Sequence, residues 1–165
     1  MNSYCFKQEF ENICFRASVS IGSYDDVHNW LLQHNTNHNI LSSEDVIILV
    51  LKYKAPLYII KTLLNVLPNP GKIIGDNGQY LLHMACSFGA SIEVVQILYE
   101  TNPTIISTSD DYGNLPLHLA CKTNSSSQVI DFLIKNTQLH FKYQIVIIIH
   151  PCILLVQIKI LLLIL

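Results

Sequence analysis

Residues 76–99, DNGQYLLHMACSFGASIEVVQILY, recur 35 positions later as residues 111–134, DYGNLPLHLACKTNSSSQVIDFLI. Nine of the 24 aligned positions are identical, and most other apolar positions stay apolar, as Met84 and Leu119 do. A period of roughly 20–50 residues indicates supersecondary units that stack side by side. The sequence therefore predicts a solenoid, an architecture that builds extended binding surfaces far more often than catalytic pockets.

The later copy reads as a turn, a short helix, a second turn and another helix. Asp111, Gly113 and Asn114 are turn-forming residues, and Pro116 suits the first helical position, where its missing N–H costs nothing. The first helix is therefore predicted over 116–122. The small polar residues at 123–127 end it.

The second helix of this copy is predicted to start at a capping box formed by Ser125 and Gln128. Apolar residues then occupy most of the helix circumference: Val129, Ile130, Phe132, Leu133 and Ile134. Such a helix must be buried on more than one side. It therefore needs helical neighbours before and after it, as in a stacked array.

The copy at 76–102 repeats this plan, and weaker copies precede it. Gly89 tolerates the left-handed backbone that ends helices, so it predicts the end of a helix over 81–88. Ser91 is placed to cap a second helix, which Pro103 closes. The apolar pattern upstream predicts two further helix pairs, one over 45–54 and 57–67 and a more degenerate one over 9–17 and 25–33.

The segment DYGNLPLHLA at 111–120 resembles an ankyrin repeat, in which a turn glycine precedes the signature T-P-L-H-x-A. The segment DNGQYLLHMA at 76–85 resembles it less fully. The resemblance implies an all-α helix-turn-helix repeat solenoid of about three to four repeats. Its parts are a degenerate N-terminal pair at 1–40, a weak repeat at 41–75, repeats at 76–110 and 111–136, and a hydrophobic C-terminal tail at 137–165.

Three positions depart from the ankyrin pattern. Tyr80 and Leu115 replace the family's threonine, which caps the first helix and bonds the histidine ring, and Leu81 replaces the proline in the earlier repeat. A lost cap costs typically about 1 kcal/mol, so these repeats are expected to be less stable than consensus ones. His83 and His118 must therefore find other hydrogen-bond partners.

The resemblance implies a non-catalytic protein–protein interaction module, a scaffold or adaptor with no cofactor, whose partner is another protein. Partners of this family contact the turn tips and the exposed face of the first helices. Tyr80, Phe88 and Tyr112 suit the role of anchors. Carried over by position, the candidate binding residues are Asp76, Asn77, Gln79, Tyr80, Ser87, Phe88, Asp111, Tyr112 and Asn114.

Composition and motifs argue against other classes of function. The chain is 50% hydrophobic with a net charge of −2, and we find no basic stripe, so nucleic acid is not an expected partner. No phosphate loop, nucleophile elbow or catalytic triad stands out, so an enzyme is not predicted. The adjacent acids Asp25–Asp26 and Asp110–Asp111 precede predicted helices, where negative charge is favourable, and we interpret them as turn and cap residues.

His83 with Cys86 and His118 with Cys121 form the pattern H-x-x-C twice, which raises the hypothesis of a metal site. Equivalent residues of neighbouring repeats lie about 8–10 Å apart. Zinc bonds are only about 2.0–2.3 Å long, so one ion could not join both pairs in that arrangement. We therefore predict helix-start histidines and packed thiols.

The five cysteines are an odd number at irregular spacings, and the N-terminal residues lack a signal-peptide pattern. We expect reduced thiols and a cytoplasmic localisation, with the thiols packed as small apolar groups. Val27, Trp30 and Leu31 have the spacing of a buried helical stripe, so Trp30 is expected in the core.

The tail is strongly apolar: 17 of the 21 residues at 145–165 are hydrophobic. About 20 residues cross a bilayer as a helix, although Pro151 and Lys159 interrupt the run. Three hypotheses stay open: a membrane anchor that tethers the repeats as an adaptor facing the cytoplasm, a segment packed on the last repeat, and a segment unrelated to the fold, such as a mispredicted gene end. The chain could also be a fragment of a larger ankyrin-repeat protein with no independent activity.

Overall fold

A computed structural model describes residues 3–18, 23–34, 43–67 and 69–140 of the chain. These residues form eight α-helices in four consecutive pairs: α1 (Ser3–Ser18) with α2 (Tyr24–His34), α3 (Ser43–Lys52) with α4 (Leu57–Val66), α5 (Leu81–Ser87) with α6 (Ile92–Thr101), and α7 (Pro116–Lys122) with α8 (Ser127–His140). The first helices stack on one another, with α5 between α3 and α7, and α6 packs between α4 and α8. The predicted all-α solenoid is confirmed.

The helix boundaries follow the sequence closely in the two well-matched units. Helix α7 has the predicted bounds, 116–122. Helix α5 begins at the predicted residue and ends one residue before the predicted end at 88. Two 3₁₀ turns, Pro70–Lys72 and Pro103–Ser107, were not predicted. Pro103 therefore does more than close α6, because it begins the turn that leads to the next unit.

One left-handed residue ends the first helix of three successive units. Lys54 (φ 53°), Gly89 (φ 67°) and Asn124 (φ 51°) occupy positions 35 residues apart. The next residue closes the helix with the same backbone hydrogen bond each time; the bonds are Ala55 N–H to Val50 O, Ala90 N–H to Ala85 O and Ser125 N–H to Ala120 O, at 2.9 to 3.0 Å. The unit at 41–75 thus has the geometry of its neighbours although its sequence match is weak.

This shared position allows a test with opposite outcomes. Lys54→Gly should raise the free energy of unfolding by about 0.5–1 kcal/mol, because glycine adopts positive φ without the strain of a Cβ atom. Gly89→Ala should lower it by about 1–2 kcal/mol for the same reason. Urea unfolding of the two variants measures both effects. Shifts of the same sign would contradict the equivalence of the two positions.

The start of α8 differs from its prediction by one residue. The N–H of Val129 lies 3.4 Å from Oγ of Ser126, so Ser126 is the capping residue and the predicted Ser125–Gln128 capping box is wrong. The register explains the difference, because Ser126 lies 35 residues after Ser91, which holds the N-cap position of α6. The left-handed residue two positions earlier fixes where each second helix can begin.

The first helix pair is part of the same stack. Phe10 is fully buried, and the centroid of its ring lies 4.7 Å from the centroid of the Trp30 ring. Trp30 is only 7% exposed, so the prediction that it lies in the core is confirmed. The carboxylate of Glu11 on α1 accepts hydrogen bonds from Nζ of Lys52 (2.9 Å) and the hydroxyl of Tyr53 (3.1 Å) at the end of α3. Apolar packing, supplemented by polar contacts, joins this pair to the next unit.

Candidate functional site

The two repeat histidines, His83 and His118, form hydrogen bonds with backbone groups instead of with the family's threonine. Nε2 of His83 lies 3.0 Å from the carbonyl oxygen of Thr108, which can only accept, so this nitrogen donates. Nδ1 of His118 accepts the N–H of Leu115 at 3.0 Å and so closes the start of α7. Burial lowers the pKa of His83, although the nearby Asp110 carboxylate and the Thr108 carbonyl oppose this effect. His83 therefore joins its own unit to the next one as a neutral, buried ring.

The turn before α7 is organised by Asp110, whose side chain is only 5% exposed. Its Oδ1 atom accepts the backbone N–H groups of Tyr112 (3.0 Å) and Asn114 (2.7 Å). Its backbone N–H donates to the carbonyl of Asn114 (2.9 Å), and its carbonyl accepts the N–H of Gly113 (2.9 Å). An aspartate side chain that bonds the backbone two residues on is a turn-forming device. Asp110 is therefore a turn residue, as predicted, and its side chain lies buried inside the turn.

The turn before α5 is built differently. Ile74 and Tyr80 form an isolated antiparallel bridge, and the N–H of Gly75 donates to the carbonyl of Gln79 at 2.8 Å. Asn77 (φ 60°) and Gly78 (φ 67°) adopt left-handed backbone at its tip. Gly75 occupies the position of Asp110, so this turn has no aspartate to hold it from inside.

Three hydrogen bonds join these two turns to each other. The N–H of Asp111 donates to the carbonyl of Asn77 (3.0 Å), and the hydroxyl of Tyr112 donates to the Asn77 side-chain oxygen (3.1 Å). Nε2 of Gln79 donates to Oδ2 of Asp110 (3.1 Å). We call the surface formed by residues 74–80 and 110–114 the turn edge. Because its turns are bonded to each other, the turn edge is one continuous ridge rather than two separate loops.

The structure brings most of the predicted binding residues together on the turn edge. Tyr112 is 71% exposed and Ile74, which was not predicted, is 49% exposed. Three further predicted residues are exposed, namely Asp76, Asn77 and Asp111, and three are half-buried, namely Gln79, Tyr80 and Asn114. Sequence reasoning missed Ile74 because an apolar residue next to a turn looks like core until its orientation is known.

Ser87 and Phe88 lie apart from the turn edge. They lie at the C-terminal end of α5, whereas the turn edge lies at its N-terminal end, and a seven-residue helix separates its two ends by about 10 Å. The hydroxyl of Ser87 donates to the Met84 carbonyl (3.0 Å), and Phe88 packs against the core while staying half-buried. A partner that contacts all the predicted residues would therefore have to reach along the first helices.

The side chain of Asp110 remains charged despite its burial. Burial alone raises the pKa of this carboxyl group. Hydrogen bonds from Asn114, Gln79 and Tyr112 outweigh that effect and hold the pKa below its ordinary value. The charged carboxylate of Asp110 therefore accepts hydrogen bonds inside the turn. The carboxylates of Asp76 and Asp111 are exposed and face solvent.

The cysteines of the H-x-x-C pairs lie in the interior. Cys86 is fully buried and Cys121 is 7% exposed, and burial raises the pKa of the Cys86 thiol to about 12. Such a thiol is unreactive at neutral pH and packs as a small apolar group. In the parts of the chain that the structure describes, no group of three or more His, Cys, Asp or Glu side chains is placed to hold a metal ion.

A groove of about 580 Å³ lies at the opposite ends of the first helices, where they turn into the second helices. Its lining includes the apolar residues Leu51, Leu57 and Ile60 and the charged residues Lys54 and Glu93. No sequence motif pointed to it, because its lining comes from three separate helix–helix loops. It contains no arrangement of groups that suggests a particular ligand.

Comparison with known families agrees with this architecture. A family model described as ankyrin repeats, in three copies, matches residues 15–143. No curated protein and no solved structure matches the chain. Because the family model covers more than half of the sequence, the chain belongs to the ankyrin repeat family. Ankyrin repeats are protein–protein interaction modules, and the family is generally non-catalytic.

The membrane hypothesis concerns a different part of the chain. Among the helices of the described residues, none is both long enough and apolar enough to cross a bilayer. The hydrophobic stretch at 145–165 lies outside the described residues. The hypothesis of a membrane-tethered adaptor therefore stays a prediction from the sequence.

Proposed function

We propose that this chain is an adaptor or scaffold that binds a partner protein through the turn edge. The observation that carries the proposal is the side chain of Tyr112, which is 71% exposed on a ridge whose backbone is already fixed. A large exposed side chain suits a binding anchor, and tyrosine is enriched among residues that dominate binding energy. Exposed Ile74 adds apolar area to the same surface.

The bonds between the turns support this role in energetic terms. Ordering a loop on binding costs free energy, so a surface that is ordered beforehand binds more tightly for the same contacts. The Asp111–Asn77 backbone bond and the Gln79–Asp110 bond hold the two turns in register before any partner arrives. Tyrosine also loses little conformational entropy on binding, because it has only two side-chain torsions.

Tyr112→Ala should weaken binding of a captured partner about 30-fold, equivalent to about 2 kcal/mol for a central anchor. The free energy of unfolding should change by less than about 0.5 kcal/mol, because the ring is exposed. Affinity capture with the full chain identifies a partner, and titration calorimetry then measures the dissociation constants. Tyr58→Ala removes a tyrosine that is 45% exposed on α4 and serves as the matched control.

A third variant separates contact from positioning. Tyr112→Phe keeps the ring but loses the hydroxyl bond to Asn77. If the ring is the anchor, this variant should bind within about threefold of the unaltered chain, since an exposed hydrogen bond contributes little. Equal losses for Tyr58→Ala and Tyr112→Ala, or unfolding of the Tyr112→Ala variant, would show that the turn edge is not the binding surface.

We place this adaptor in the cytoplasm as part of the same proposal. Cys14 and Cys86 are buried thiols, and burial raises the pKa of each to about 12. A fold that uses cysteine as an apolar packing residue suits a reducing compartment, where thiols stay reduced. Imaging of the full chain with a fluorescent tag tests the localisation, and accumulation in a secretory compartment would contradict it.

A further inference from the structure

The tip of the first turn in the turn edge is the pair Asn77–Gly78, which is the single Asn–Gly sequence in the chain. Both residues have positive φ, 60° and 67°, and the N–H of Gln79 donates to the carbonyl of Asp76 (3.4 Å) across the tip. Two consecutive residues with positive φ characterise a type I′ turn, which favours asparagine followed by glycine. The geometry of the turn therefore accounts for this pair.

Gly78 is also fixed by the neighbouring turn. A Cβ atom at this position would overlap the carboxylate of Asp111 as it lies in the fold. A side chain here would in addition be strained at a φ of 67°. The contact between the two turns therefore requires a glycine after Asn77, and this glycine has a chemical consequence for the asparagine.

An asparagine that precedes a glycine can modify itself with water as the only other reactant. The backbone nitrogen of Gly78 bonds to Cγ of Asn77 and loses its proton, which passes through water to the side-chain nitrogen. The bond from Cγ to that nitrogen breaks, and ammonia leaves. Water then opens the imide ring, either at Cγ to give aspartate or at the backbone carbonyl to give isoaspartate. Glycine favours the first step because no Cβ shields its nitrogen.

In the folded turn edge the reacting atoms point away from each other. At a ψ of 32°, the Gly78 nitrogen lies on the opposite side of the Asn77 Cα–C bond from Cβ, so it cannot reach Cγ. The N–H of Asp111 holds the Asn77 carbonyl (3.0 Å), and the hydroxyl of Tyr112 holds its side-chain oxygen (3.1 Å). The peptide group must rotate before the nitrogen can attack, and this rotation breaks the bond to Asp111. The reaction therefore needs local opening of the turn edge.

We propose that Asn77–Gly78 is a self-modifying site, at which local opening of the turn edge allows conversion to isoaspartate or aspartate. Isoaspartate lengthens the backbone by one atom at the tip, so the carbonyl at position 77 no longer meets the N–H of Asp111. Either product also adds a negative charge beside the exposed carboxylates of Asp76 and Asp111, which repels them. The two turns then separate. The effect on a partner rests on the proposed function, whereas the modification itself does not.

Incubation of the full chain at mildly alkaline pH, followed by peptide mass spectrometry, measures the conversion of Asn77. Asn124 is an internal reference: it is exposed and left-handed (φ 51°), but it precedes Ser125, whose N–H is bonded to the Ala120 carbonyl. Asn77 should convert about threefold faster than Asn124 or more, because its attacking nitrogen belongs to a glycine. A synthetic peptide of residues 74–80 should convert about tenfold faster than Asn77 in the full chain, because the peptide has no fold to open.

Two matched variants test whether the contact between the turns controls the reaction. Tyr112→Phe removes the hydroxyl bond to Asn77 and should raise its rate of conversion about threefold. Tyr58→Phe removes a hydroxyl group from an exposed tyrosine on α4, outside the turn edge, and should leave the rate unchanged. The rate at Asn124 should be the same in both variants. A rise at both asparagines in Tyr112→Phe would show that opening is global and would contradict control by the turn edge.

Hydrogen exchange measured by NMR tests the consequence without a partner. In the purified isoaspartate form, exchange should be about tenfold faster at the N–H of Asp111, which loses its acceptor, and unchanged at the N–H of Ala55, which is bonded to the Val50 carbonyl. Three results would each contradict the proposal: no product at Asn77 while Asn124 converts, equal rates in the chain and the peptide, or unchanged exchange at Asp111. Faster exchange at Asp111 with undiminished partner binding would support the modification and contradict the proposed function alone.

Discussion

Phe10→Ala is expected to lower the free energy of unfolding by about 3–5 kcal/mol, the usual range for truncation of a buried phenylalanine. The ring of Phe10 is fully buried and lies 4.7 Å from the Trp30 ring. Its removal leaves a cavity between α1, α2 and the rest of the stack. Because units of a solenoid are stabilised mainly by their neighbours, we expect the first helix pair to separate and unfold before the rest.

Two probes distinguish local from global loss in this variant. Trp30 is the single tryptophan of the chain, so its fluorescence reports on the first helix pair, while far-ultraviolet circular dichroism reports on all helices. The two urea transitions should move apart, with the fluorescence midpoint the lower one. Phe15→Ala removes the same side chain from the same helix at a position that is 51% exposed, and it should cost less than about 1 kcal/mol. Similar losses for the two variants would contradict the burial of Phe10 in the core.

Asp110→Ala is expected to cost about 2–3 kcal/mol, because hydrogen bonds to a charged acceptor are the stronger ones and their donors would lose their partner. The affected donors are the N–H groups of Tyr112 and Asn114 and the side-chain amide of Gln79. Loss of the turn also loosens the contact between the two turns, so binding through Tyr112 should weaken in the same variant. Unfolding in urea and titration of the partner measure the two effects.

The neighbouring acid provides the control. Asp111 is exposed, and Asp111→Ala keeps the backbone N–H that bonds Asn77, so its effect should stay below about 0.5 kcal/mol. An equal loss for both variants would mean that the pair acts through its charge rather than through the buried position of one member. The sequence alone gave no reason to treat these two aspartates differently.

Asp110 also predicts a pH dependence. Its pKa in the folded protein lies below the value of about 3.9 for an unfolded chain. Its contribution to stability is therefore fully present above that value and is lost as the pH falls through it towards the folded pKa. The stability difference between the unaltered chain and Asp110→Asn should shrink between about pH 5 and pH 3. A difference that stays constant over this range would show that Asp110 is not charged in the fold.

The period of 35 residues predicted the solenoid and the bounds of α7, because glycine, proline and periodic apolar residues act locally. It predicted less well where the local signal was ambiguous. Three serines in a row, 125–127, offered three candidate caps, and only the left-handed backbone of Asn124 selected Ser126. The 3₁₀ turn at Pro103–Ser107 also escaped prediction, since a proline after a helix is compatible with several continuations.

The sequence by itself determined the class of fold, the order of the units and which residues lie near the turn tips, since each of these follows from local patterns repeated along the chain. Only the tertiary structure decided which partners replace the missing threonines, which aspartate is buried and which exposed side chains share a surface. Those outcomes depend on contacts between units, such as His83 with Thr108 and Tyr112 with Asn77, that join residues 25 and 35 positions apart. A repeat pattern indicates that two units are adjacent, whereas side-chain packing determines which atoms are in contact.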